Sequence, residues 1–199
     1  MQESRWNSEA NWNTPAPGEL ELVRRFLNTW RIPDEKIADG MREPADELSW
    51  LLGDPRAWEE RFPGWPQATG GDEELLTRLR GDLRSALGTP EGWTEALNGW
   101  LGGYPLVAQV VEEDEGASVR YEPAQETGFA GRVLAVVARS IEDGKFSRLK
   151  ACPDCRWVFY DKSRSKTRVW CGMYAGEGGR ACGTISKVRR YRQRRKAGE

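Results

Sequence analysis

The chain contains no histidine. Nucleophile arrangements that rely on an imidazole base are therefore excluded, and any soft-metal site must be built from cysteine. Cysteine is itself scarce: four residues, all between positions 152 and 182 of 199. No stretch reaches eighteen apolar residues, so no helix is expected to span a membrane. No apolar leader follows Met1, and the expectation is a cytoplasmic protein with reduced thiols. The chain has no internal repeat. Gly102-Gly103 and Gly178-Gly179 are isolated pairs, and neither lies in the strand-then-helix setting of a phosphate loop. No carboxylates show a spacing that defines an acid/base pair, and the expectation is a non-enzyme.

Cys152 and Cys155 form a C-x2-C pair, Cys171 follows after fifteen intervening residues, and Cys182 after ten more. A two-residue gap lets both thiolates turn to one centre, and a tetrahedral zinc ion takes four such sulfurs at about 2.3 Å. The spacing predicts one structural Zn2+ held by Cys152, Cys155, Cys171 and Cys182, crosslinking a segment too short to bury a core of its own. Three other readings stand beside it. A disulfide pair suits secreted chains. A thioredoxin-type redox pair needs a long helix after the C-x2-C, whereas Arg156 to Tyr160 reads as a strand. Four unrelated buried cysteines would not be expected within 31 residues.

The net charge of −1 conceals a division. Residues 145–199 hold 16 Lys+Arg against 4 Asp+Glu, and residues 1–144 hold 14 against 27. An acidic body thus carries a basic tail whose natural partner is a polyanion, with the acidic body itself as the competing partner.

The first 144 residues predict a mostly helical domain with one β-hairpin. Leu22, Val23, Phe26, Leu27 and Trp30 recur at helical spacing over 18–30. Pro44 is expected in the first turn of a second helix with Leu48, Leu51 and Leu52 inward. Asp54-Pro55 predicts a capped short helix carrying Trp58 and Phe62. Asp72 opens an amphipathic helix with Leu75, Leu76, Leu79, Leu83 and Leu87, and Thr89-Pro90 opens another. Trp6, Trp12, Trp65 and Trp93 sit among Gly, Pro and Asn and are expected to be partly exposed. Residues 106–111 and 118–122 read as strands around an acidic turn, and a last body helix spans 125–142. The short joint after Gly144 implies that the C-terminal module, residues 145–199, packs on the body.

Within that module Lys162, Arg164, Lys166 and Arg168 alternate in a turn and return strand, which places them on one side of a ribbon. The run after Cys182 predicts a helix capped by Thr184 or Ser186, with Ile185, Val188 and Tyr191 as its inward stripe. Lys187, Arg189, Arg190, Arg192, Arg194 and Arg195 fill its remaining surface. The expected function is binding of nucleic acid, duplex DNA first. An RNA- or protein-interaction module is the alternative, and an enzyme in the helical domain is the third reading.

The run from Arg148 to Lys196 resembles the CGNR-type zinc finger of bacterial proteins. In that family the finger closes an α-rich N-terminal ABATE domain, a family named for stress-induced transcription regulation. The resemblance implies an α+β protein whose treble-clef-like finger ends in a basic helix. The family's ligands fall on Cys152, Cys155, Cys171 and Cys182. Where the family has Cys-Gly-Asn-Arg, this chain reads Cys182-Gly183-Thr184-Ile185, and a glycine-rich insertion at 175–180 precedes it. The resemblance further implies a DNA-binding regulator whose helical domain dimerises or senses a small-molecule ligand.

Overall fold

The computed structural model describes residues 14–32, 44–87, 92–114, 116–172 and 181–197. Helix α1 (Leu20–Leu27) buries Val23, Phe26 and Leu27, spaced three and four apart so that one face meets the core. It ends where Asn28 turns inward rather than continuing the helical stripe to Trp30. Trp30 instead lies in β1 (Trp30–Arg31), paired antiparallel with β2 (Ala45–Asp46). Pro44 therefore precedes a strand and does not open a helix. The second helix, α2, begins only at Leu48 (Leu48–Gly53), with Leu48, Leu51 and Leu52 buried as expected.

Asp54 caps α3 (Pro55–Arg61). Its side chain accepts from Arg56 N at 3.0 Å and Ala57 N at 3.2 Å, while Pro55 takes the first helical position, where no donor is needed. A reciprocal Thr69–Asp72 box leads into α4 (Glu73–Ala86), which turns Leu76, Leu79 and Leu83 inward. Helix α5 (Trp93–Gly103) follows; Thr89 and Pro90 lie outside the described residues, as do Trp6 and Trp12. Strands β3 (Leu106–Glu113) and β4 (Gly116–Pro123) form a hairpin in unbroken register from Leu106↔Pro123 to Glu113↔Gly116. The body thus holds two strand pairs among its described residues where the sequence predicts one.

Helix α6 (Gly128–Glu142) is the central element. Nine of its residues are buried, and it packs on both α1 and β4. Gly131 is required here, because a Cβ would collide with the Thr127 side chain and Pro123. Phe129 is the hub of an aromatic cluster. Phe26, Trp58, Phe62 and Trp65 surround it with ring centroids at 5.3, 4.7, 4.9 and 5.5 Å. Such pairs add about 0.5–1.5 kcal/mol each beyond the area they bury. Trp65 is consequently buried, against the expectation from its Gly/Pro-rich surroundings, and Trp93 is half-buried. Gly144, at φ +67°, ends the α6 segment in a left-handed turn.

Strand β5 (Leu149–Ala151) pairs with β6 (Val158–Tyr160), so the C-x2-C pair sits in the turn of this hairpin. Helix α7 (Cys182–Ala197) closes the described chain. Leu149, Val158 and Tyr160 join the body's core. The C-terminal module therefore packs on the body, as the short joint implies. No helix among the described residues is long and apolar enough to cross a membrane.

Candidate metal centre

Cys152 directly follows β5, and Cys155 lies three residues further round the turn. A carbonyl-to-amide bond of 2.9 Å from Arg156 N to Cys152 O tightens this turn. Arg156 then adopts φ +60°, which reverses the chain into β6. A second bond, Cys152 N to Trp157 O at 2.9 Å, closes the hairpin. The Cys155 amide faces the Cys152 sulfur, as a zinc knuckle requires.

Cys171 and Cys182 complete the site. The four sulfurs lie within 4.8 Å of one another. Cys155–Cys171 and Cys171–Cys182 separations are 3.5 and 3.6 Å. A tetrahedron with four bonds of about 2.3 Å has edges of about 3.8 Å, whereas a disulfide would bring two sulfurs to about 2.05 Å. All four cysteines are free thiols. The donor set, its geometry and its burial fit a tetrahedral thiophilic metal. They do not fit the disulfide or thioredoxin readings, since the knuckle joins two short strands rather than opening a helix. The fourth reading fails because the thiols converge.

Electrostatics support the same assignment. Four converging sulfurs cannot all ionise without a cation. The neighbouring thiols Cys155, Cys171 and Cys182 donate to Cys152 and hold its pKa far below the usual thiol range, while their mutual contacts push Cys171 far above it. Helix α7 begins at Cys182, so the positive end of its dipole lies at the cluster. Trp157 and Phe159 are buried with the cysteines, and Trp170 packs beside them as apolar cover.

The body grips this centre through the backbone. Asn28 takes both polar groups of Val158: its Nδ2 donates to Val158 O at 2.8 Å, and Val158 N donates to its Oδ1 at 2.7 Å. Ile32 N donates to Cys155 O at 3.0 Å. Arg84 bridges α4 to both partners, donating to Leu27 O and Arg156 O at 2.6 Å each. Burial, aided by nearby Arg80 and Arg156, lowers the Arg84 pKa to about 10. Arg80 in turn forks onto Asp46 and donates to Thr29 Oγ1 at 2.7 Å. The sequence reading missed Asn28, Arg80 and Arg84. A polar residue just past a helix end is a cap by default, and arginines on an amphipathic helix read as solvated.

The basic residues divide. Asp161 is fully buried. Burial opposes its ionisation, but Lys150, Ser163 and the Arg168 amide donate to its carboxylate and hold its pKa well below the usual range. This anchor shapes residues 162–168 into a closed loop that exposes Lys162, Arg164 and Lys166. The loop is not the return strand that alternation predicts, and Lys166 sits at φ +54°. Arg168 faces inward. Its guanidinium donates to Trp170 O and Cys171 O and lies over the Phe159 ring, so it braces the metal loop.

In α7 the cap expectation is corrected, because the helix begins at Cys182 itself, ahead of Thr184 and Ser186. Lys187, Arg189, Arg190, Arg192, Arg194 and Arg195 are exposed as expected. Arg189 also pairs with Asp154 at 3.0 Å. The inward stripe fails beyond Ile185: Val188 is 41% exposed and Tyr191 62%. Among the described residues, no secondary-structure element packs closely on α7. The insertion at 175–180 lies outside the described residues.

Two family models match the chain. Residues 20–143 match the ABATE family, described as "Putative stress-induced transcription regulator". Residues 148–195 match the CGNR zinc finger. No curated protein matches the chain.

Proposed function

The chain belongs to the ABATE family and carries a CGNR zinc finger, and from that premise we propose that it is a zinc-containing regulator that binds duplex DNA. One structural zinc is held by Cys152, Cys155, Cys171 and Cys182. Four thiolates leave no open position for water, so the ion is a crosslink and not a catalyst. The observation that carries the reading is the placement of α7. Its first residue is a metal ligand, and six exposed cations follow it. The ion thereby sets the direction in which the arginines project, toward phosphates that repeat along a duplex. The Asp161-anchored loop adds the exposed Lys162, Arg164 and Lys166. Phosphate contacts of this kind position a protein; sequence reading would need side chains at base edges.

Salt dependence tests this. Log affinity for a duplex should fall with log salt by about 0.9 for each phosphate neutralised. Replacing Arg190, Arg192, Arg194 and Arg195 together by Ala should flatten that slope by about two to four if two to four of them touch phosphate. Arg189 is left in place because its pair with Asp154 ties α7 to the knuckle. Alanine keeps helix propensity. An unchanged slope in the folded variant, read by fluorescence anisotropy, would remove α7 from the binding surface.

A further inference from the structure

We infer that α7 of one chain docks on the β3–β4 hairpin of a second copy, forming a head-to-tail association driven by opposite charge around two matching apolar patches. The inference concerns protein–protein contact and stands whether or not α7 also binds nucleic acid.

The first patch is on α7. Val188 and Tyr191 are three apart and share one helical face, both exposed and both flanked by arginines. Among the described residues, the ion pair α7 makes within its own chain is Arg189 to Asp154. Arg195 lies over the Tyr191 ring of the same helix at 6.0 Å, a contact that leaves both side chains exposed.

The second patch is on the hairpin. Strand β3 pairs with β4 alone among the described residues, and β4 is the strand that packs on α6. The outer strand overhangs the core, with Val110 79% exposed and Val107 45%. The register sets Val110 opposite Val119 and Ala108 opposite Tyr121. Alternation puts these four on one face and Val107 on the other, giving an apolar strip in which Ala108 and Val110 are exposed and Val119 and Tyr121 half-buried. Glu112, Glu113 and Asp114 continue from that strip into the turn and are exposed. Edge strands are normally blunted by lysine, proline or a bulge. Strand β3 has no lysine, no proline and an unbroken register.

Charge selects the occupant. Two α7 helices repel each other, and so do two acidic turns. Helix against hairpin instead gives an apolar centre with an ionic rim, the usual anatomy of a protein interface. Each chain carries both halves in nearly equal amounts, a net charge of −1 made from 30 cations and 31 anions. Copies therefore meet without overall repulsion. The contact is heterologous, so it propagates into chains or closes into rings rather than stopping at an isologous pair.

Sedimentation velocity on the full-length, zinc-replete protein decides the matter. At low salt the weight-average sedimentation coefficient should rise with concentration. It should return to the monomer value near 1 M salt, where the screening length is about 3 Å. A hairpin variant, Val110→Lys with Glu112→Lys, should be monomeric at low salt. A helix variant, Tyr191→Ala with Arg192→Glu and Arg195→Glu, should be monomeric as well. Both substitute exposed side chains, and native circular dichroism and zinc content confirm that each is folded. Mixed in equal amounts, the two variants should form a one-to-one dimer and nothing larger, because each retains the half that the other lacks. A wild type that stays monomeric at low salt overturns the inference. So does a mixture that fails to dimerise, which would mean pairing of like surfaces, and so does an association that survives either variant. A wild type that associates but does not bind a duplex would count against the proposed function alone.

Discussion

Helices α6 and α7 are nearly equal in length, 15 and 16 residues, and are held by opposite means. Helix α6 is wrapped, with nine residues buried, aromatic rings around Phe129 and a glycine where β4 crosses. In α7, Cys182 and Gly183 are buried, and from Lys187 onward every described side chain is exposed. A helix of this length is marginal in isolation, so burial of an apolar face normally maintains it. On the proposed function, one sulfur–metal bond at the first residue would take that place. A helix held in this way need not be covered beyond its first turn, which leaves the surface from Lys187 onward available for contacts.

The sharpest way to break this contrast is Cys182→Ser. Structural zinc contributes about 10–16 kcal/mol in small finger peptides. The variant should lose stoichiometric zinc by elemental analysis, and its loss of helical circular dichroism should be confined to about the length of α7. Loss of all helix would show that α7 and α6 share one anchor. Next in size is Leu134→Ala on α6, a fully buried site. It should cost about 2–5 kcal/mol in urea unfolding while zinc content stays unchanged. Asn28→Ala tests the seam between the two regions. Val158 O keeps a donor in Arg24 at 3.2 Å, but Val158 N–H loses its acceptor. A cost of about 1–3 kcal/mol is expected, together with faster zinc loss to a chelator; unchanged zinc release would uncouple the body from the metal centre. The smallest effect belongs to Val188→Ala. The sequence reading gives Val188 an inward position and a role in stability, whereas its exposure now predicts a change within about 0.5 kcal/mol. A larger loss measured at low protein concentration would mean that something in the same chain covers it.

That last reversal shows where sequence reasoning works and where it stops. Body helices were legible because their apolar residues recur with the helical period and a core exists to receive them. The cysteine cluster was legible because thiolates that could share one ion must be spaced to reach it. The α7 stripe was read by the same periodicity and failed beyond Ile185, since Val188 and Tyr191 have the right spacing but, among the described residues, no element packed closely against them. Asn28 was invisible for the opposite reason. Its partners are 130 residues away, and nothing local distinguishes it from an ordinary helix cap. Strand β5 is three residues long, too short to show alternation. Trp65 and Pro44 mislead because local Gly/Pro context says where the chain turns, not whether the ring beside the turn finds the Phe129 cluster or whether a strand forms first.

The start of α7 at Cys182 has a mechanical consequence. Sixteen residues rising about 1.5 Å each make a rod about 24 Å long, hinged at one end. A tilt of about 5° at the hinge displaces the far end by about 2 Å over that length. The hinge is stiffened by the sulfur on one side and by Gly183 N donating to Gly172 O at 3.0 Å on the other. It rests on the knuckle whose carbonyls Ile32 and Arg84 hold. Small shifts of α1 or α4 are thus geared up along the lever, and Arg194 and Arg195, in its last turn, travel farther than Lys187 or Arg189 near the fulcrum.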